Sequence, residues 1–413
     1  MRRARGRSRE HLPAGFGTIW ATVAIDLIGF GVILPILPLY AERFGASPTD
    51  VGLLLASFSV AQLVFAPIWG RLSDHVGRKP VILISLFGTA IGCFITGAAG
   101  ALWVLFAGRI IDGISGASVS VAQAAVTDVA RPEQRAHLLG LLSAAFGVGF
   151  VAGPALGALA TLGGPHVPFY VAGAIALVNG LVALRRLPET AGARGERAFA
   201  GAVSLDAPGG TSLAPDLTDP AERRRSLARL AIVAFVATVA FSAFEATFSL
   251  FGKERFGLRE GSTSAVFVGI GLLLVAVQAG LVRRVAPKYG GLRTLRAGLV
   301  ANAAGLLPLA AATEWIVLVP ALLLLVIGQG LTSPSLASVA AGRARADRRG
   351  AALGIQQSVG GLARVVGPAA GGLLFQHAGV PWPYLVGAAL LAAAGAILFA
   401  EHEPASASHP AVI

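Results

Sequence analysis

Apolar blocks of about 20 residues recur along the 413-residue chain, and they restrict its fold more than any other feature. A helix crosses the hydrocarbon core of a bilayer in about 20 residues, and in that core every backbone amide must be hydrogen-bonded within a helix or a closed barrel. Strands of a membrane barrel alternate apolar and polar residues, whereas these blocks are almost wholly apolar. Only 13% of the residues are charged, about half the fraction typical of a soluble domain. The sequence therefore predicts an all-α integral membrane protein.

Twelve such blocks, separated by polar or glycine-containing breaks, are long enough to span a membrane. We number them as spans 1 to 12, with predicted bounds 16–40, 49–70, 80–99, 101–127, 137–162, 167–187, 228–252, 263–284, 293–312, 315–340, 350–376 and 381–400. Residues 1–15 and 401–413 are predicted to be tails. The first tail is basic, and we do not expect it to be a signal peptide, because a full-length span without a clear cleavage site follows it.

An internal repeat divides the spans into two groups of six. Residues 135–160 align without gaps on residues 349–374, with matches that include Gly153 with Gly367 and Pro154 with Pro368. Parallel repeats related by an axis along the membrane normal occur in one large transporter architecture. We therefore expect two pseudo-symmetric six-helix bundles, 16–187 and 228–400, joined by a Gly-, Pro- and charge-rich linker at 188–227.

The distribution of Lys and Arg predicts the orientation. The loops after odd-numbered spans hold only Arg43, Lys253, Arg255 and Arg259, and most of the other basic residues fall in the remaining loops, the linker and the tails. Cytoplasmic loops carry the excess of Lys and Arg, so both termini are expected in the cytoplasm, with the protein in the cell's inner membrane. The net charge of +12 is thus a topology signal, and no nucleic-acid partner is expected. A single cysteine excludes an intramolecular disulfide and argues against a cysteine-based metal site. We expect a monomer without a metal.

A short charged stretch, GRLSDHVGRKP at 70–80, interrupts the apolar sequence between spans 2 and 3. Glycine permits close helix contact and tight turns, and acids and bases at helix ends form polar contacts that a conformational change can break. We predict a gate here, formed by residues that include an acid near the end of span 4: Gly70, Asp74, Gly77, Arg78, Lys79 and Asp128. The alternative is that Arg78 and Lys79 only set the topology, which leaves Asp74 and the paired glycines unexplained.

Ionisable residues inside spans are costly and indicate function. Asp26 in span 1 is a candidate for carrying a proton or contacting substrate, against a static hydrogen bond to a neighbouring helix. Arg109 and Asp112 in span 4 are three residues apart and share a helix face. They form either a structural pair or a switch in which Arg109 controls the protonation of a nearby acid. Glu245 in span 7 is the fourth candidate for proton coupling.

The candidates for substrate contact are polar or aromatic residues within spans. A carboxylate among aromatic rings suits a cationic, lipophilic ligand, and Glu245 lies between Phe244 and Phe248. Aromatic residues at this spacing are also ordinary packing residues, and amides in spans often join helices to each other. The full candidate set is Gln123, Phe244, Glu245, Phe248, Gln278, Gln357 and Arg364. For Arg364, a structural ion pair with Glu245 or Asp26 is the alternative.

Several of these segments resemble motifs of the major facilitator superfamily. Residues 70–79 (GRLSDHVGRK) are similar to its signature loop, although His75 stands where a base is usual. Residues 109–117 (RIIDGISGA) and 147–160 (GVGFVAGPALGALA) resemble the span 4 and span 5 motifs of its drug/proton antiporters, and residues 27–40 also match. The resemblance implies a proton-relay role for Arg109. It also implies an antiporter motif of small residues in span 5: Gly147, Gly149, Gly153, Pro154 and Gly157.

We therefore expect a secondary transporter that exports a small amphipathic organic compound or drug in exchange for protons by alternating access. The sequence has no nucleotide-binding loop and no enzymatic constellation, so the expected energy source is the proton gradient, with no cofactor and no enzymatic activity. The alternatives are an importer or symporter of the same fold and, from another class, a non-transporting membrane receptor.

Overall fold

A computed structural model describes residues 12–131, 134–190, 220–344 and 349–399. The predicted twelve spans and the all-α fold are confirmed, because twelve helical segments in the described residues are long and apolar enough to cross a membrane. The α-helices are Phe16–Ile33, Leu37–Glu42, Pro48–Val76, Arg78–Gly97, Leu102–Ser115, Ser118–Val129, Arg135–Ala160, Val167–Arg186, Pro220–Phe256, Glu260–Ala276, Arg283–Tyr289, Gly291–Ala311, Trp315–Arg343, Arg349–His377 and Trp382–Phe399.

Two of the spans consist of more than one helix. Span 4 combines Leu102–Ser115 with Ser118–Val129, and span 8 combines Glu260–Ala276 with Arg283–Tyr289 through the π-helical segment Val277–Val282. The connections after even-numbered spans lie at one end of the bundle and include Gly77, Ala130, Leu187, Gly290 and Ala344. We call this end the basic face, because most Lys and Arg residues outside the spans fall in these connections, the linker and the tails. The connections after odd-numbered spans form the opposite face, with residues Arg43, Ala98, Gly164, Gly257, Ala312 and Gly379.

The first two spans differ from the predicted bounds. Span 1 ends at Ile33, and the helix Leu37–Glu42 follows it, because Pro35 and Pro38 have no amide hydrogen to continue the helical bonding. Span 2 is longer than predicted and runs from Pro48 to Val76, after a capping box between Ser47 and Asp50. The polar residues 70–76 are therefore the last two turns of a helix rather than part of a loop.

Most of the predicted linker, residues 191–219, and nearly all of the predicted tails lie outside the described residues. At its far end the linker prediction is wrong in part, since residues 220–227 already belong to the helix Pro220–Phe256. The two aligned repeat segments both fold as helices, Arg135–Ala160 and Arg349–His377.

The repeated Gly153 and Gly367 occupy equivalent positions in the two halves. A side chain at Gly153 would lie 2.6 Å from the backbone of Gly31 in span 1, and one at Gly367 would lie 2.7 Å from the carbonyl oxygen of Val239 in span 7. Span 5 therefore packs on span 1 as span 11 packs on span 7, which agrees with the predicted internal repeat.

Two helix pairs join the halves. Span 2 crosses span 11, where a side chain at Gly52 would lie 3.2 Å from the Cα atom of Gly372. Span 5 crosses span 8, where a side chain at Gly271 would lie 2.8 Å from the carbonyl carbon of Phe150. Small residues let membrane helices approach this closely, so the halves meet along two tight helix crossings.

Polar contacts between the halves lie near the opposite face, as far as the described residues show. Arg43 binds Glu260 at 2.7 Å, and Lys253 binds Glu42 at 2.9 Å. The buried Ser249 hydroxyl donates to the Pro35 carbonyl at 2.9 Å. These contacts tie the two halves together at the opposite face.

Candidate functional site

A polar cluster inside the amino-terminal half contains three of the predicted residues. The Asp26 carboxylate accepts a hydrogen bond from the Ser118 hydroxyl, and Arg109 binds Asp112 at 2.6 Å. Arg109 and Asp112 are both buried, and the Arg109 guanidinium lies over the ring of Phe58, 4.2 Å from its centroid. Within the described chain, Nε of Arg109 has no hydrogen-bond acceptor. The cluster therefore has one closed ion pair and a donor available for a second partner.

The predicted ionisable residues of the other half lie on spans 7 and 11. Glu245 is half-buried, and its carboxylate has no hydrogen bond or ion pair to the described residues. Arg364 is exposed and within electrostatic range of Glu245, although the two side chains do not form an ion pair within 4.0 Å. The structure thus places an acid and a base near each other without joining them.

The aromatic candidates are packed inside the carboxy-terminal half. Phe244 and Phe248 have ring centroids 5.2 Å apart, and Phe248 also contacts Phe251 and Phe267. Phe244 is 1% exposed and Phe248 0%, so neither presents surface to a ligand in this conformation. Their role in substrate binding stays a prediction that requires another conformation.

The amide candidates differ in their surroundings. Gln123 is half-buried on the second helix of span 4, whereas Gln278 in the π-helical segment and Gln357 in span 11 are exposed. Other amides do join helices: Asn302 donates to Gln329 at 3.1 Å, and Asn179 donates to the Thr22 carbonyl at 2.8 Å. Substrate contacts by Gln123, Gln278 and Gln357 remain predictions.

The predicted gate at the basic face is centred on the buried Arg78. Its guanidinium binds Asp128 of span 4 at 2.9 Å and Asp74 of span 2 at 2.7 Å, and donates to the Ser73 hydroxyl at 2.6 Å. The Asp128 side chain is 1% exposed, whereas that of Asp74 is 51% exposed. Arg78 therefore joins spans 2, 3 and 4 by contacts of very different burial, and the pairing with Asp128 expected from the sequence is present.

Two features of this network differ from the sequence prediction. Gly77 makes the tight turn, with φ +107°, but a side chain at Gly70 would meet no atom within 4 Å. The expected close helix contact at Gly70 is therefore wrong, because Gly70 lies in a helix that faces open space there. The sequence analysis also missed Glu189, which follows span 6 and accepts the backbone N–H groups of Arg78 at 2.8 Å and Lys79 at 3.1 Å.

The glycines of the predicted antiporter motif mostly contact the same half. A side chain at Gly149 would lie 2.7 Å from the Leu27 carbonyl, and one at Gly157 would lie 3.0 Å from that of Val32. A side chain at Gly147 would instead meet the other half, 2.9 Å from Val275 of span 8, close to the crossing of Phe150 with Gly271. The helix continues through Pro154. The motif thus mainly fixes span 5 against span 1.

The ion pairs at the opposite face were also missed, and their exposure makes them breakable. The side chains of Arg43 and Lys253 are 52% and 55% exposed, and exposed ion pairs contribute only about 0–1 kcal/mol each. We expect Arg43→Glu to open the opposite face more often, because it puts two acids side by side, and Arg43→Glu combined with Glu260→Arg to restore the closed population.

Electron-spin distance measurements can follow this opening. Leu162 and Ile316 are highly exposed near the opposite face, one in each half, and serve as labelling sites after substitution by cysteine in a Cys93→Ser background. The long-distance fraction should rise several-fold in Arg43→Glu, since about 1 kcal/mol changes a population ratio roughly five-fold. A distance distribution that does not change in the single variant contradicts a closing role for this pair.

Comparisons with known proteins agree with this architecture. Residues 19–301 and 284–412 match the sequence profile described as Major Facilitator Superfamily. The chain is 32% identical to the class E tetracycline resistance protein of Escherichia coli, over 94% of this chain and 95% of that one. It is 31% identical to the class B protein of the same organism, over 88% and 90%.

Among solved structures, the human organic anion transporter MFSD10 (TETRAN) superposes with a TM-score of 0.68 at 27% identity, covering 93% of this chain and 98% of that one. The profile matches and the tetracycline resistance relatives extend over most of the chain, through both six-helix halves. The protein is therefore a multi-pass membrane transporter that belongs to the major facilitator superfamily.

Proposed function

We propose that the protein exports a small amphipathic organic compound in exchange for protons, by alternating access of a central site between the halves. The observation that carries the proposal is the placement of buried or half-buried ionisable residues inside spans of both halves, since such residues in membranes mark ion and substrate paths. The relatives named for tetracycline resistance support a drug-like substrate. The proposal includes an inner-membrane location, a monomer, and the basic face in the cytoplasm.

The proton-coupling residues in this proposal are Asp26, Arg109, Asp112 and Glu245. Asp26 takes a proton while the site faces outward and releases it when the site faces the cytoplasm. Arg109 binds Asp112 through one nitrogen, while its Nε has no acceptor among the described residues. In one of the two states this free N–H donates to Asp26 or to a substrate group, and in the other state it does not. Proton and substrate then compete through shared partners, which is sufficient to couple their binding.

Substrate recognition in this proposal centres on Glu245 and Arg364. Glu245 lacks a partner among the described residues, and a carboxylate near aromatic rings attracts a cationic, lipophilic group. Arg364, exposed on span 11, suits an anionic or polar group of the same compound. An amphipathic molecule with groups of both kinds fits this arrangement better than a simple sugar or ion.

Inside-out membrane vesicles with an acidified interior test the proposal. A panel of antibiotics and lipophilic dyes that includes tetracycline and ethidium is added outside, and both compound uptake and internal pH are recorded. We expect at least one compound to accumulate while protons leave the vesicles, and an uncoupler to stop both. Vesicles without the protein are the control.

The other outcomes identify the alternatives. Accumulation without proton movement contradicts antiport. Movement of the compound and protons in the same direction supports a symporter or importer of the same fold. A panel in which nothing moves and no compound stabilises the purified protein favours a non-transporting receptor.

A further inference from the structure

Span 4 is interrupted near the middle of its length, between Ser115 and Ser118. The first helix ends at Ser115, Gly116 has φ −70° and ψ 45°, and the second helix begins at Ser118. Backbone groups freed by such an interruption must find partners, because unsatisfied amides inside a bilayer cost several kcal/mol each. Span 4 supplies some of them itself, since the Gly116 N–H bonds to the Gly113 carbonyl at 3.1 Å and the Ala117 N–H to the Ser115 carbonyl at 2.7 Å.

Further partners for the backbone at the break come from side chains of spans 2 and 3. The buried Ser85 hydroxyl donates to the Ser115 carbonyl and accepts the N–H groups of Ala117 at 3.2 Å and Ser118 at 3.0 Å. Gln62 of span 2 donates to the Gly116 carbonyl at 2.8 Å. One serine therefore fills the break with three hydrogen bonds, and the break is a fixed feature of the packed bundle.

The residue directly after the break contacts Asp26. Ser118 is the first residue of the second helix, is buried, and donates its hydroxyl to the Asp26 carboxylate. Discontinuous membrane helices hold ions and substrates in many transporters because half-helix ends carry oriented dipoles. The carboxylate is thus held by a side chain whose own position depends on the break.

The corresponding span of the other half has no break. Span 10 is one helix from Trp315 to Arg343, although it contains Pro320 and Pro334, and its Thr332 hydroxyl bonds to its own Gly328 carbonyl at 2.8 Å. The interruption in span 4 is therefore not a requirement of the repeated fold. The interruption is present in the half that contains Asp26, which lies in span 1.

We propose that Ser118 is a positioning residue for Asp26, and that Ser85 fixes the break in span 4 that places Ser118 against the carboxylate. The inference deepens the proposed function, because it assigns the residues that set when Asp26 exchanges its proton. The hydroxyl hydrogen bond stabilises the charged carboxylate, so the position of span 4 and the protonation of Asp26 are linked.

Other ionisable groups near Asp26 come from spans 3 and 4. Asp112 is within electrostatic range of Asp26, as is Cys93, and Arg109 is paired with Asp112. Spans 5 and 6, which also pack on span 1, carry ionisable residues only near their ends: Arg135, His137, Tyr170, Arg185 and Arg186. Ser118 is therefore the direct polar contact of Asp26 among the described residues, and its removal is the specific perturbation.

Infrared titration of the purified protein in lipid tests the inference without a transported compound. The carbonyl band of protonated Asp26 is identified by its loss in Asp26→Asn. In Ser118→Ala its titration midpoint should move to higher pH by about one unit, the size expected for losing a hydrogen bond to a charged group. Ser118→Thr keeps the hydroxyl and should stay close to the parent.

Two further variants complete the test. Thr127→Ala removes a hydroxyl that bonds only within the same half-helix, to Ala124, and should leave the midpoint unchanged. Ser85→Ala should shift the midpoint in the same direction as Ser118→Ala. If Ser85→Ala does not fold, the comparison of Ser118→Ala with Ser118→Thr decides the case.

A Ser118→Ala titration that superimposes on the parent's overturns the inference, and so does an equal shift in Thr127→Ala. Failure of the proposed function is distinguished by the vesicle assay. If the parent moves a compound without protons, antiport fails whatever the infrared result. If antiport holds and the infrared midpoint does not respond to Ser118, only the positioning role fails.

Discussion

Asp26→Asn is expected to reduce compound-driven proton movement to the level of membranes that lack the protein. The substitution keeps the size of the side chain and an oxygen that can accept the Ser118 hydroxyl, but it removes the group that gains and loses a proton. Because coupling depends on that exchange and not on packing, the amount of protein in the membrane should not change. Parallel measurements of proton flux, compound flux and membrane abundance in inside-out vesicles provide the test.

Glu254→Gln is the matched control for this prediction. Glu254 is an exposed acid at the end of span 7, near the opposite face, so its neutralisation should leave coupled transport intact. Coupled flux that persists in Asp26→Asn removes Asp26 from the proton path. In that case Glu245→Gln, the equivalent test in the other half, becomes the next variant to measure.

The membrane fold followed from the sequence because bilayer thickness imposes one length on every span. Departures occur where local chemistry overrides the apolar pattern. Pro35 and Pro38 divide the end of span 1, and the polar turns at 70–76 continue span 2 because nothing before Gly77 forces a turn. Periodicity and hydropathy alone do not reveal such ends.

The pairing of Arg78 with Asp128 was predictable, because both residues are charged and both lie where their spans reach the same face. Glu189 was not singled out, although an acid directly after span 6 is a signal that could have been used. The break in span 4 had a weaker signal, since the same small residues also pack continuous helices. The break is recognised only in the structure, where Ser85 of span 3 hydrogen-bonds to the Ser115 carbonyl.

Contacts between the halves were beyond sequence reasoning. Arg43 and Glu260 are 217 residues apart, and nothing in either local sequence selects the other as partner. The burial of Phe248 likewise depends on how span 7 packs on span 8, where its ring meets that of Phe267. Residue type indicates which side chains can bind a proton or a ligand. Packing decides which of these side chains are accessible to one.

Arg78→Gln is the second substitution for which we expect a large effect, in this case on stability. It removes the guanidinium from Asp128, whose side chain is 1% exposed, and breaking a buried pair by removing one partner costs about 3–5 kcal/mol. The loss is measured by SDS-induced unfolding of the purified protein in mixed micelles.

A second substitution separates the charge effect from the packing effect. Arg78→Gln combined with Asp128→Asn should recover most of the lost stability, because both members of the buried pair are then neutral and can still form a hydrogen bond. Asp74→Asn, which neutralises the half-exposed partner of Arg78, should cost no more than about 1 kcal/mol. If Arg78→Gln is as mild as Asp74→Asn, the buried pair does not stabilise the basic face. If the double variant recovers stability but not transport, the charges of this buried pair are required for the transport cycle as well as for holding spans 3 and 4 together.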